Sequence, residues 1–104
     1  MDSLTTSVEP GSPAVLHVKG EIDLATVEQL QASLQEALAE HTTLLVDMAE
    51  VTFVDAVGLR TILQVADSLN GRRPLVLLHA SRVARLLQLV GLTDVQSIEV
   101  RGDH

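Results

Sequence analysis

The segment FVDAVGL, residues 53–59, places the carboxylate of Asp55 where a short apolar stretch gives way to a helical pattern. A carboxylate at such a junction can accept hydrogen bonds from the free N–H groups of the first helical turn, here those of Val57 or Gly58. It can also be presented to a partner protein or a kinase. The next residue, Ala56, has no hydroxyl or other reactive group. The segment therefore offers either a helix cap or a recognition feature, and no nucleophile.

Acid-base catalysis and metal binding find little support elsewhere in the sequence. Asp23 and Asp47 would have to converge on Asp55 to form an acid-base site, and their spacing gives no reason for this. We interpret Asp23 as a turn residue and Asp47 as a hydrogen-bond acceptor at a strand end. Metal-ligand spacing is absent among the four histidines, which are His17, His41, His79 and His104. We therefore predict no catalytic residue, no metal site, no cofactor and no enzymatic activity.

The composition predicts one small domain with an aliphatic core. At 104 residues the chain fits a single domain, which we extend over residues 1–104 with a core between residues 3 and 101. Hydrophobic residues make up 46% of the chain, but aromatic residues only 1%, a single Phe53. Aliphatic side chains must therefore fill the core, and stacking on nucleic-acid bases is disfavoured.

Charge and the absence of targeting signals restrict the class of partner. Seven basic and 14 acidic residues give a formal net charge of -7, which repels both nucleic-acid phosphates and anionic lipid head groups. The opening segment MDSLTTSVEPGSP lacks the basic and apolar regions of a signal peptide. No apolar run reaches the roughly 18 residues of a membrane-spanning helix. We therefore expect a cytoplasmic protein that binds neither nucleic acid nor membrane.

Hydrophobic periodicity in the first half of the chain predicts strands around one helix. Two strands are predicted, one over Leu4–Val8 and one over the alternating segment AVLHVKG. The turn EPGSP between them predicts that they form a hairpin. The amphipathic segment TVEQLQASLQEALAEH predicts a helix, with Thr26 and Gln29 as a capping box. The apolar runs TLLVDM and PLVLLHA are typical of central parallel strands that are covered on both faces.

The second half of the chain adds two helices and a closing strand. A helix is predicted over Asp55–Asn70, and Gly71 ends it. Ser81 is the predicted N-cap of a third helix, which Gly91 terminates. A final strand is predicted over Val95–Val100. The sequence therefore predicts a single α/β domain with a mixed β-sheet and three principal α-helices.

The helix that follows Asp55 has a core side and a solvent side. At about 100° per residue, the predicted core side consists of Leu59, Ile62, Leu63, Ala66 and Leu69. The predicted solvent side consists of Val57, Thr61, Gln64 and Ser68. Val57 is either an apolar contact for a partner or an ordinary exposed residue. Gly58 admits the close approach of a backbone, either a partner's or that of the protein's own sheet. Arg60 either pairs with an acidic partner group or is solvated.

Three successive segments carry a family resemblance, namely VKGEIDLAT, LLVDMAEVTFVDAVGLRTIL and SRVARLLQLVGLTDV. They closely resemble the STAS family, typified by bacterial anti-sigma-factor antagonists, and the match covers nearly the whole chain. The most specific element of that family is Asp-Ser-Ser/Thr-Gly-Leu at a strand-to-helix loop, where this chain keeps Asp55, Gly58 and Leu59. The serine that is phosphorylated in the family corresponds to Ala56.

The resemblance implies a protein-binding function. Such family members bind the kinase-like ATPase domain of an anti-sigma factor and displace the sigma factor, until phosphorylation of the serine ends the binding. The implied partner is therefore an anti-sigma factor, and the implied contact residues are Asp55, Ala56, Val57, Gly58, Arg60 and Thr61. Because Ala56 is a degenerate phosphorylation position, we expect that the chain is not switched off there. Thr52 is a better alternative phosphoacceptor than Thr61, which lies one turn into the helix.

Two other functions and one oligomeric state are alternatives to this interpretation. The chain could be an accessory STAS subunit of a transporter or of a signalling complex, and such a subunit would contact a different partner. A small acid-base enzyme would require convergence of the three aspartates. A homodimer could form through an exposed sheet edge, for which the first and the last strand are the natural candidates.

Overall fold

Residues 3–92 and 95–101 are described by the computed structural model of the chain. Along these ranges the elements follow in the order β1 (Leu4–Glu9), β2 (Ala14–Ile22), α1 (Val27–Glu40), β3 (Leu44–Val54), α2 (Ala56–Asp67), β4 (Leu75–Leu78), α3 (Ser81–Leu89) and β5 (Ile98–Arg101). The prediction of an α/β fold with a mixed sheet and three principal helices is confirmed. Within the same ranges, no helix is long and apolar enough to cross a membrane. His104 lies outside the described residues.

The strands form one sheet in the order β1-β2-β3-β4-β5. β1 pairs antiparallel with β2 across the predicted turn, and the three later pairings are parallel. Each crossover helix moves the chain one strand further in the same direction. Since such crossovers are right-handed, all three helices lie on one face of the sheet and leave the other face open. The prediction that the central strands are covered on both faces is wrong for β3, where Leu45 and Asp47 are only partly buried, but it holds for β4, where Val76 is buried as well as Leu75 and Leu77.

Burial alternates along β2 and the first part of β3 because only one face of the sheet meets the helices. In β2, Ala14, Leu16 and Val18 are buried on the helix face, whereas Val15 and His17 are only partly buried on the open face. The predicted aliphatic core is confirmed by the largest fully buried side chains, which are Leu16, Ile22, Leu30, Leu34, Ile62, Leu75, Leu77, Val18, Val46, Val65 and Val83.

The start of α1 differs from the predicted capping box. The buried Thr26 hydroxyl accepts a hydrogen bond from the Asp23 N–H at 3.0 Å and donates to the Glu21 carbonyl at 2.8 Å, and it makes no cap bond to the helix. The Gln29 amide donates to the Leu4 carbonyl of β1 at 2.8 Å. The prediction is wrong because both side chains have partners outside the helix that the local pattern does not reveal.

Two predicted boundaries shift by three residues. α2 ends at Asp67 rather than Asn70, and Asn70 and Gly71 then reverse the chain with positive φ angles of 54° and 74°. β5 begins at Ile98 rather than Val95, because pairing with β4 starts only at Ile98. In both cases the apolar pattern of the sequence is longer than the segment with regular helix or sheet hydrogen bonds.

The two ends of α3 have different outcomes. The predicted cap role of Ser81 is wrong, because Ser81 is already helical and Ala80 precedes it as the N-cap without a side-chain cap bond. Gly91 follows the helix with a φ angle of 80°, a left-handed conformation that glycine adopts without strain. The Leu92 N–H then donates back to the Leu87 carbonyl at 2.8 Å, which completes a Schellman-type helix end as predicted.

A histidine on the open face connects three neighbouring strands. The His17 Nε2 lies 2.9 Å from Glu9 Oε1 of β1, and its Nδ1 lies 3.3 Å from Asp47 Oδ2 of β3. The hydrogen bond with Glu9 is the main cause that raises the pKa of His17 above 6.5; partial desolvation opposes the rise and the Asp47 carboxylate reinforces it. The charged imidazole therefore favours the attachment of β1 to the sheet.

Folding stability should therefore decline slightly as the pH rises. Because the pKa of His17 is higher in the folded than in the unfolded chain, its contribution is complete below pH 6.5 and is lost as the pH rises through the folded value. The side chain is well exposed, so we expect a loss below about 1 kcal/mol. Urea unfolding over this pH range measures it, and His17→Gln should remove the decline. An unchanged pH dependence in that variant would contradict the assignment to His17.

Candidate functional site

The carboxylate of Asp55 caps α2, as the sequence predicts. Its Oδ1 accepts a hydrogen bond from the Gly58 N–H at 2.8 Å, and its backbone carbonyl accepts one from the Leu59 N–H at 2.9 Å. Asp55 itself has extended backbone angles, as expected of a residue that ends β3 and precedes the first helical turn. The cap therefore orients the residues that follow it.

Gly58 contacts the protein's own sheet. A Cβ at this position would lie 2.5 Å from Ile22 Cγ2 and 2.9 Å from the Ile22 carbonyl oxygen. The same carbonyl accepts a hydrogen bond from the Asp55 N–H at 3.2 Å, and Ile22 is fully buried. Of the two explanations for Gly58, close approach to the sheet is therefore the one that the structure supports. This contact holds the start of α2 against the end of β2.

The first turn of α2 presents small and apolar side chains to the surface. Ala56 is exposed and Val57 is partly buried. Arg60, one turn further along, is exposed. These three predicted contact residues are therefore accessible to a partner.

Thr61 does not lie on the solvent side of α2. It is only 8% exposed, and its hydroxyl donates to the Val57 carbonyl at 3.1 Å. Val65 is also buried, whereas Gln64 and Ser68 are exposed as predicted and Leu63 is only partly buried. The predicted orientation fails at Thr61 because α2 contacts both α1 and α3 and is buried over a wider arc. The hydroxyl tolerates burial since its own helix supplies an acceptor.

The three aspartates do not form one acid-base cluster. Asp23 accepts a hydrogen bond from the Ala25 N–H at 3.0 Å, which is the predicted turn role. Asp47 accepts one from the Ala49 N–H at 3.0 Å and also contacts His17, so it is engaged on the open face. Its predicted position at a strand end is wrong, because β3 continues through Val54.

Two large apolar residues near the cap are more exposed than expected. Leu24, in the turn after β2, is 75% exposed, and Phe53, near the end of β3, is 47% exposed. Ile22 and Val54 are paired in the sheet, so both residues lie near the same end of the sheet as Asp55. Sequence reasoning did not include them in the site. An unusual signal was available, because Leu24 is an apolar residue within a polar turn.

A shallow cleft lies beside the cap, between the last part of β3 and the start of α3. Its volume is about 260 Å³, and its lining includes Val51, Val54, Ser81 and Arg82. The Nε of Arg82 donates to the Val51 carbonyl at 3.1 Å and so connects α3 to β3. Sequence reasoning did not single out Arg82, since its acceptor is a distant backbone carbonyl.

Thr52 is exposed in the same region. Its hydroxyl donates to the Gly20 carbonyl of β2 at 3.3 Å. The register between β2 and β3 shifts beside this residue, because Gly20 faces Val51 and Glu21 faces Phe53. Thr52 is therefore an accessible hydroxyl on an irregular part of the strand.

Replacing Gly58 tests the contact between helix and sheet. In an ordinary helix position, Gly→Ala stabilises by roughly 1 kcal/mol. We expect the opposite sign for Gly58→Ala, a destabilisation of about 1–3 kcal/mol, because the added methyl overlaps Ile22. Urea unfolding measures the change, with the exposed Gln64→Ala as a control of the same helix. A stabilised Gly58→Ala variant would rule out the proposed steric constraint.

The cap makes a separate prediction about Asp55. Asp55→Ala should lower the free energy of unfolding by about 1 kcal/mol, because the Gly58 N–H loses its acceptor. Asp55→Asn should retain most of that energy, since the amide oxygen can accept the same bond. Thermal or urea unfolding compares the two variants. Equal losses in both would mean that the carboxylate charge, rather than the hydrogen bond, stabilises this helix end.

Comparisons with known proteins place the chain among similar sequences. The family model described as Mlab, STAS domain, matches residues 5–99. The anti-sigma-F factor antagonist RsfB of Mycobacterium tuberculosis is 32% identical over 94 residues, which cover 88% of this chain and 77% of that protein. The anti-sigma-B factor antagonist of Listeria monocytogenes is 30% identical over 87 residues, which cover 81% of this chain and 76% of that protein.

A solved structure gives the same result at the level of the fold. The crystal structure of an anti-sigma factor antagonist from Mycobacterium paratuberculosis superposes with a TM-score of 0.76 at 28% identity. The superposition covers 94% of this chain and 86% of that one. Since the family model also matches nearly the full length, the chain belongs to the STAS domain family, of the type found in anti-sigma factor antagonists.

Proposed function

We propose that this protein is an anti-sigma factor antagonist that binds the kinase-like ATPase domain of an anti-sigma factor. The observation that carries the proposal is a set of accessible, mostly apolar residues near the capped start of α2, in a chain whose relatives are named as such antagonists. We call this the loop surface and define it by Leu24, Phe53, Ala56, Val57 and Arg60. The proposed role is binding, with no catalytic step.

The loop surface has the composition of a small protein-protein contact. Leu24 and Phe53 expose large apolar side chains, and Arg60 adds a cation at the margin. Aromatic and arginine residues are enriched at such contacts, and apolar residues gain most when a partner removes them from water. Gly58 and Thr61 are buried below this surface. Their role in the proposal is to support the contact rather than to touch the partner.

The same geometry explains how phosphorylation could end binding in a relative and not here. A phosphate on the residue after Asp55 would add about -1.5 to -2 charges beside a carboxylate. A partner packed on this turn would have to desolvate those charges, so binding would weaken while the domain stays folded. Ala56 has no hydroxyl. In our proposal the chain therefore remains in its binding form with respect to this position.

A substitute phosphoacceptor, if one is used, would be Thr52. Thr61 is buried and its hydroxyl donates within α2, so a kinase would have to unfold the first turns to reach it. Thr52 is exposed, and its hydroxyl donates a hydrogen bond of 3.3 Å to the Gly20 carbonyl. We keep Thr52 as an alternative site within the proposal. A cytoplasmic location also belongs to the proposal, since the partner acts on a sigma factor.

Binding experiments with position 56 variants test the function. Wild type, Ala56→Asp and Ala56→Ser are used to capture partners from the native cytoplasm with ATP or ADP, and a retained kinase-like ATPase is purified for affinity measurements. Ala56→Asp should raise its dissociation constant at least about 10-fold, because a carboxylate enters the contact. Ala56→Ser should bind like wild type with ADP and lose binding with ATP once it is phosphorylated. Ala39→Asp, the same change at an exposed residue near the amino end of β3, is the matched surface control.

Two outcomes would contradict the proposal. Retention of a transporter or a larger scaffold by both wild type and Ala56→Asp would favour the alternative of an accessory STAS subunit that contacts another surface. Binding of the kinase-like ATPase with equal affinity to wild type and Ala56→Asp would separate the partner from the loop surface. Phosphorylation of the wild type at Thr52, detected by mass spectrometry, would contradict the absence of regulation. It would mean that the protein is switched off at Thr52 instead of at residue 56.

A further inference from the structure

Among residues 3–92 and 95–101, nothing pairs with the backbone groups at the outer edge of β5. The Leu75 N–H donates to the Ser97 carbonyl at 2.8 Å, and the His79 N–H donates to the Arg101 carbonyl at 3.1 Å. Alternate residues of a strand turn their backbone groups toward the same neighbour. The backbone groups of residues 97, 99 and 101 therefore face β4. Those of Val100 face away from β4, because Val100 lies between two of these residues along the strand. These groups are available to a further strand.

A groove with both apolar and polar lining residues accompanies this edge on the helix face. A groove of about 590 Å³ runs between α3 and β5, and Leu89 and Val100 are part of its lining. A smaller space of about 260 Å³ adjoins Val100 and Leu92. Leu89 is 73% exposed, Val100 is 40% exposed and Leu92 is 42% exposed. We call them the edge patch, and a cluster of this kind next to an open strand marks an interaction surface.

The other face of β5 carries one charge of each sign. Glu99 and Arg101 point to the open face of the sheet and pair with each other along the strand. In an antiparallel pair of β5 strands centred on Val100, Glu99 of one copy would lie opposite Arg101 of the other. The two copies would form this charge pair twice, because a twofold axis repeats every contact. The charge order of the strand is thus complementary to itself.

The opposite edge of the sheet is better protected. Helix α1 packs beside β1, where the Gln29 amide donates to the Leu4 carbonyl at 2.8 Å and the Thr6 and Ser33 hydroxyls are 2.8 Å apart. β5 has no such cover within the described residues. It also lacks the proline, lysine and bulge that commonly prevent pairing at a sheet edge. Of the two edges, β5 is therefore the one suited to pairing.

We propose that two copies of this chain form a homodimer by antiparallel pairing of their β5 edges about Val100. The N–H and carbonyl of Val100 exchange hydrogen bonds with those of the second copy, and the edge patches lie beside each other on the helix face. Glu99 and Arg101 pair across the open face. The proposal does not rest on the proposed function, because β4 separates β5 from the strand that leads to the loop surface.

Sedimentation equilibrium of the full chain tests the dimer. Four residues a side form a small interface, so we expect a dissociation constant on the order of 100 µM. Glu99→Arg should raise this constant about 10-fold, because two attractive pairs become repulsive. The double variant Glu99→Arg with Arg101→Glu should return it to near the wild-type value, since the reversed charges again match. Glu50→Arg, the same charge change on exposed β3, should leave it unchanged.

Val100→Pro tests the backbone contribution. Proline removes an N–H that β4 does not use, so the sheet keeps its internal pairing while the dimer loses its central hydrogen bonds. Circular dichroism checks that the variant is folded, and dimerisation should be lost. A wild type that is monomeric up to about 1 mM would overturn the proposal. So would a dimer whose dissociation constant is the same with Glu99→Arg, whether or not the proline variant folds.

Discussion

The close contact between Gly58 and Ile22 is the constraint on which the loop surface depends. Any side chain at Gly58 would overlap Ile22 by its first carbon, so only a glycine lets the first turn of α2 approach the end of β2. The Ile22 carbonyl also accepts the Asp55 N–H, and the Asp55 carboxylate accepts the Gly58 N–H. These contacts join sheet, loop and helix into one unit, and Ala56 lies on its outer side.

Binding and switching are physically separable at such a site. The cap and the glycine contact depend on backbone groups and on Asp55, and none of these involves the side chain of residue 56. A serine or an alanine there can therefore occupy the same geometry. In the proposed function, this is why the chain can keep a partner-binding surface after the loss of the hydroxyl through which a kinase would act.

The topology places the loop surface and the two edge strands at different parts of the sheet. Because all crossovers proceed in one direction, the loop surface lies near the carboxyl ends of β2 and β3, while β5 forms the last strand of the sheet in the part of the chain that the structure describes. β1, at the other side, is attached through the polar contacts of α1 and through the His17 cluster. A STAS domain of this size thus has room for two separate protein contacts.

The sequence by itself determined the number, order and type of the helices and strands, through its hydrophobic periodicity. It also determined the cap at Asp55 and the helix end at Gly91, because both depend on residues that are neighbours along the chain. Only the tertiary structure decided which side chains form hydrogen bonds with, or are buried by, elements distant in sequence. Gln29 donates to the Leu4 carbonyl of β1 rather than within its own helix, and Thr61 is buried because α2 contacts two other helices. The exposure of Phe53 likewise follows from strand order and from the single helix-covered face, which no local pattern encodes.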